Sequence, residues 1–139
     1  MKTYKLMRFL EDGDFDHHGF LTEGKTAETL AESALIAANI AVEGRGRGVL
    51  RRLTEMEYLA KVKKGDTLTV KSRIAAAGES ALVFYTEIAS DKEGYAVARG
   101  YTVFDTVTVK REPLKHGLQL DEPADEAEAE TRRVAAKLL

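Results

Sequence analysis

Three acids and two histidines fall within nine residues near the start of the chain, in the stretch DGDFDHHGF from Asp12 to Phe20. Carboxylates and imidazoles move protons, attack carbonyl carbons or hold metal ions. The metal use is the least favoured here. Asp14, Asp16, His17 and His18 are acceptable ligand types, but four ligands from five consecutive positions need a contorted loop, and the third histidine, His116, lies in the tail. No metal is expected. His17 and His18 are adjacent, so on an extended backbone they point opposite ways and one of them faces any site. Asp12 and Asp14, beside Gly13, read as turn-formers. The residues alone leave two readings for the stretch, a catalytic loop and a polar turn.

The elements that must position this loop follow from periodicity. Thr3 to Phe9 alternates polar and apolar residues and predicts a strand. From about Lys25 to Val42, Ala27, Leu30, Ala31, Ala34, Leu35, Ala38 and Ala41 recur at helical spacing, and Gly44 supplies the stop. The loop is therefore a strand-to-helix connection. The helix is rich in alanine, so a sheet can approach it closely. Beyond the GRGRG turn, strands are expected at Val49–Leu59, Thr67–Ala76, Ala81–Ala89 and Tyr95–Val109, with Gly65-Asp66 as a hairpin-like turn. In the second of these, Leu68, Val70, Ser72, Ile74 and Ala76 share one face.

One helix followed by four strands in meander order predicts an α+β domain, with an antiparallel sheet of about five strands wrapped on the helix. That body spans residues 1–110. The tail, 111–139, is punctuated by Pro113 and Pro123, and its second half reads as an appended helix with acids early and Arg132, Arg133 and Lys137 late, as the helix dipole prefers.

Composition narrows the function. With 44% apolar and 32% charged residues the chain reads as one globular, soluble protein. Twenty-one basic against 23 acidic side chains give no general nucleic-acid or membrane surface. The absence of cysteine excludes thiol nucleophiles and thiolate metal sites. The N-terminus lacks the apolar run of a signal peptide, so a cytoplasmic location is the default expectation.

Three segments combine into a resemblance: GDFDHHG before the helix, TAETLAESALIAA within it, and LTEMEYLAKVKKGDTLTVKSRI with ARGYTVFD after it. Together they resemble the hotdog-fold acyl-CoA thioesterase superfamily, over roughly residues 1–109. The most specific part is E-Y-L-x-x-V-x-x-G-D at Glu57 to Asp66. The loop is similar to that of 4-hydroxybenzoyl-CoA-type thioesterases, with their D-x-D-x-x-G arrangement. Carried over onto Asp14, Asp16 and Gly19, the resemblance gives the catalytic role to Asp16. The continuation GFLTEG departs from that branch and is equally similar to the hotdog aminoacyl-CoA ammonia-lyases. A non-catalytic acyl-CoA binding protein is the reading from a different class, because fold does not fix function.

The resemblance implies a small acyl-CoA as substrate, no separate cofactor beyond the CoA it carries, and a homodimer or homotetramer. It implies Asp16 as base or nucleophile, with His18 and the helix acid Glu32 as further catalytic candidates, the latter acting across a subunit interface. His17 and the backbone at Gly19 and Gly24 would contact the thioester, the amides near the helix start holding a developing oxyanion. CoA phosphates call for a local basic surface, for which the residues offer Arg51 among Arg45, Arg47 and Arg52, or Lys63 and Lys64 beside Lys61.

Overall fold

The computed structural model describes residues 2–139. Its elements in order are β1 (Thr3–Phe9), a short 3-10 turn at Asp12–Asp14, α1 (Glu23–Ala41), β2 (Arg47–Tyr58), β3 (Thr67–Ala77), β4 (Ala81–Ser90), β5 (Ala96–Val107) and α2 (Glu126–Ala136). The five strands form one antiparallel sheet in the order β1-β3-β4-β5-β2, and the architecture is the expected α+β hotdog.

The meander holds for β3, β4 and β5 only. β2 pairs with β5, at the opposite side of the sheet from β3. Gly65-Asp66 is therefore a turn inside a crossing segment, not a hairpin between paired strands. The eight residues from Leu59 to Asp66 are longer than a tight hairpin needs. They carry the chain across the sheet end, where Leu59 N–H donates to the Val97 carbonyl and Leu21 N–H to the Val62 carbonyl.

Helix α1 starts where Thr22 caps it, the hydroxyl accepting the Lys25 amide at 3.2 Å, a contact of about 1 kcal/mol. Its buried face has two halves. Leu30 packs with Leu21, Val62, Leu68, Val70, Ile88 and Val97, while Ala34, Ala37, Ala38 and Ala41 lie against Ile74, Leu82, Phe84 and Phe104. The alanines let the sheet come close. At Gly48 a Cβ would sit 3.0 Å from that of Ala38. Ala27, Ala31 and Leu35 flank this face and are half-buried.

The tail packs on the body. Ala135 of α2 is fully buried on the outer sheet face with Ala75, Val83, Tyr85, Tyr101 and Val103, and Val134 and Leu138 extend the contact. Between β5 and α2, buried His116 bonds the Ala81 carbonyl through Nε2 at 3.0 Å and accepts the Leu118 amide at Nδ1. Among the described residues no helix is long and apolar enough to cross a membrane.

Candidate functional site

The acidic loop closes on itself as a tight turn. Asp16 N–H donates to the Phe20 carbonyl at 2.8 Å and Gly19 N–H to the Asp16 carbonyl at 3.0 Å, with Gly19 in the left-handed region at φ 83°. The glycine is required there, since an L side chain strains that conformation. The Asp16 side chain completes the turn: Oδ1 accepts the His18 amide at 2.9 Å and the Phe20 amide at 3.0 Å.

Those bonds lower its pKa further. The Phe20 amide chiefly holds the Asp16 carboxyl below the usual carboxylate range, desolvation opposes it, and the His18 amide and both imidazoles add to the lowering. Asp16 is exposed and ionised at neutral pH.

Asp14 does different work. It is 6% exposed, accepts the Glu11 amide at 2.9 Å through Oδ2 and pairs with Arg8 at 3.2 Å through Oδ1, while its carbonyl accepts the Thr22 amide. This ties β1, the loop and the start of α1 together. Asp12 lies on the surface, 3.7 Å from the Lys64 ammonium.

His17 and His18 do not diverge. Their rings lie 3.9 Å apart at 42°, because the turn, unlike an extended strand, brings adjacent side chains to one side. Both are exposed beside Asp16.

The amides expected to face a ligand sort into two groups. Those of Gly19, Phe20, Leu21 and Thr22 are consumed inside the fold. The Gly19 amide is therefore not available to a thioester. The amides of Glu23 and Gly24, at the first turn of α1, have no acceptor among the described residues, as is usual at a helix start. A Cβ at Gly24 would meet nothing within 4 Å, so that side is open. Beside it lies a hollow of about 200 Å³ lined by Leu21, Glu23, Thr26, Tyr58, Leu59, Ala60 and Lys61. Tyr58, whose hydroxyl donates to the Glu23 carbonyl at 3.3 Å, was not a site candidate from the sequence, where it stands in a strand and in the E-Y-L motif without an assigned role.

Lys63 and Lys64 come to the loop directly. Lys63 pairs with Phe20 through an isolated antiparallel bridge, and the Lys61 and Lys63 ammoniums stand 5.0 and 5.8 Å from the Phe20 ring centre. Glu32 and Arg51 are elsewhere. Glu32 is 3.8 Å from Arg8, on the side of α1 that faces β1, not at the Asp16 turn. Arg51 is held by Asp105 across β2 and β5, roughly 20 Å along the strand from Tyr58 at about 3.3 Å per residue. A larger cavity, about 380 Å³, lies between α2 and the outer sheet face and contains none of the residues nominated from the sequence. Among the described residues no cluster of three or more His, Asp or Glu is placed to hold a metal ion.

More than half of the chain, residues 18–97, matches the family model described as the thioesterase superfamily, the match beginning two residues past Asp16. No curated protein matches. Among solved structures, an acyl-CoA hydrolase from Bacillus cereus is similar with a TM-score of 0.82 and 18% identity, over 98% of this chain and 83% of that one. An acyl-CoA thioesterase described as hexameric gives 0.81 and 17%, over 97% and 86%. An acyl-CoA hydrolase from Staphylococcus aureus, solved with butyryl coenzyme A, coenzyme A and coenzyme A disulfide, gives 0.78 and 20%, over 97% and 80%. At these identities the likeness is one of fold, and its coverage takes in the tail.

Proposed function

The chain belongs to the thioesterase superfamily, and from that premise we propose that it hydrolyses the thioester of a small acyl-CoA, with Asp16 as base or nucleophile. One observation carries the reading. An ionised carboxylate sits in a turn that runs, through Phe20 and Thr22, straight into a helix start whose first two amides have no acceptor among the described residues.

Thioester hydrolysis needs both parts. As base, Asp16 takes a proton from water while the oxygen adds to the carbonyl carbon; as nucleophile, it forms an anhydride that water then opens. In either route the carbonyl oxygen gains negative charge, and the Glu23 and Gly24 amides with the positive end of the α1 dipole are the donors suited to it. The C–S bond then breaks and the CoA thiolate takes up a proton. His17 and His18, with their rings close together beside Asp16, favour its ionised form, and in this scheme they orient the thioester.

Glu32 enters this scheme only from a second subunit, since in its own chain it faces Arg8. The free edge of β2, with Val49 and Leu50 exposed, is the natural pairing surface for a homodimer, from which a tetramer can be built.

The test is a panel of short, branched and aromatic acyl-CoAs, together with crotonyl-CoA and ammonium, analysed by mass spectrometry. Free CoA is the expected product. An ammonia adduct without free CoA would instead identify an ammonia-lyase, and ligand binding without turnover a non-catalytic binder.

A further inference from the structure

We propose that the cavity between α2 and the outer sheet face binds a free α-amino acid with a short apolar side chain, its carboxylate on Arg73 and its ammonium on Glu87. The proposal stands apart from the thioester reading, because none of the residues around this cavity lines the hollow at the start of α1.

Elements far apart in the sequence enclose the space. Strands β3, β4 and β5 supply its floor, with Arg73 directly opposite Tyr85 in the register and Glu87 two residues further along β4 on the same face. Arg73 and Glu87 are thus diagonal neighbours, about 7–8 Å apart, a separation that long side chains can span. Ala127 and Thr131, one turn apart on α2, form the roof. At about 380 Å³ the cavity lies at the small end of the range that holds small molecules.

Most charges on its walls are already matched. Arg99 donates twice to Glu57, at 3.1 and 3.3 Å, and Arg132 donates to Glu128 at 2.9 Å. Glu128 also takes the Ala124 amide, Glu130 pairs with Arg133, and Asp125 caps α2 by accepting the Glu128 amide at 2.8 Å. Two charges are left over. Among the described residues the half-buried Arg73 makes no hydrogen bond or ion pair, and Glu87 receives only the Tyr85 hydroxyl, on Oε1 at 2.8 Å.

A cation and an anion left side by side in one cavity select a ligand that carries the complementary pair. A lone carboxylate satisfies Arg73 but is repelled by Glu87, and a lone amine meets the reverse. An α-amino acid presents both charges one carbon apart. The Arg73 guanidinium suits its carboxylate through two parallel N–H bonds, while Glu87, with Oε1 engaged by Tyr85, keeps Oε2 for the ammonium. Ala75, Ala127 and the Tyr85 side chain give a short side chain an apolar surface to rest on.

The experiment is calorimetric titration of the full chain with L-alanine, L-valine and L-leucine. The tightest is then compared, on wild type, with the acid that lacks its amino group and the amine that lacks its carboxylate; for valine these are 3-methylbutanoate and 2-methylpropylamine. It is also titrated into Arg73→Gln and Glu87→Gln. Arg73 has no partner to lose and glutamine at 87 keeps an oxygen for the Tyr85 hydroxyl, so both variants are expected to fold, which their melting temperatures verify. The expected result is saturable binding of at least one amino acid, with each half-ligand and each variant weaker by about tenfold or more. No binding of any of the three, a half-ligand that binds as tightly as the intact amino acid, or a folded variant that binds as tightly as wild type overturns the proposal.

Discussion

The Phe20 amide donates to Asp16 Oδ1 at 3.0 Å, and this bond does two things at once. It closes the turn around the carboxylate, and it is the main cause of the lowering of the Asp16 carboxyl below the usual carboxylate range. The two acids nearest the site are thereby distinguishable, since Asp14 spends both oxygens on the fold.

Asp14→Ala is expected to lose stability. It leaves the Glu11 amide without its acceptor and Arg8 without its buried partner, a cost of about 1–3 kcal/mol. Urea denaturation checks this through the shift in midpoint, and an unchanged midpoint would mean that the ties from β1 to α1 are not held by this carboxylate.

The acidic limb of kcat/KM should lie low. Asp16 titrates below 3.8 in the folded chain, so the active carboxylate is lost only as pH falls through that depressed value. The same sign governs stability: the group's contribution is full above the unfolded value of 3.8 and disappears as pH falls through the folded one. A pH-rate profile whose acidic midpoint lies near 6 would assign the essential base to an imidazole instead.

Gly19→Ala should damage the site through its backbone. At φ 83° a Cβ costs about 1–2 kcal/mol, although no atom lies within 4 Å to clash with it. The strain loosens the turn that orients Asp16, so kcat is expected to fall more than KM rises. Wild-type kcat alongside a lowered melting point would show that the turn geometry does not matter to turnover.

Ala135→Asp tests the role of the tail. The residue is fully buried against apolar neighbours, so a carboxylate there costs at least about 2 kcal/mol and favours release of α2. Limited proteolysis should then cut within residues 121–139 while CoA release persists, since no α2 side chain lines the site at the start of α1. Loss of turnover together with release would mean that the helix supports the active geometry.

Much of this was legible in the sequence, for identifiable reasons. The alternation in Thr67–Ala77 and the helical spacing of Leu30, Ala34, Ala38 and Ala41 survive into the structure because burial imposes both periods. The order of strands was not legible, because a strand's pattern records which face is buried and not which neighbour it pairs with. β2 thus looked like the first strand of a meander, although it joins β5. In the loop, the family resemblance singled out Asp16, but the close approach of the His17 and His18 rings depends on a turn that only the Phe20 and Gly19 hydrogen bonds define.

The most direct test of the central claim is the rate of CoA release from the best acyl-CoA substrate by wild type and by Asp16→Asn, with the melting temperature of both. Asparagine keeps an oxygen for the His18 and Phe20 amides but cannot be ionised. The account predicts a folded variant whose kcat is lower by about 10²–10⁴-fold. A folded variant that releases CoA at near the wild-type rate would contradict it and remove Asp16 from the chemistry.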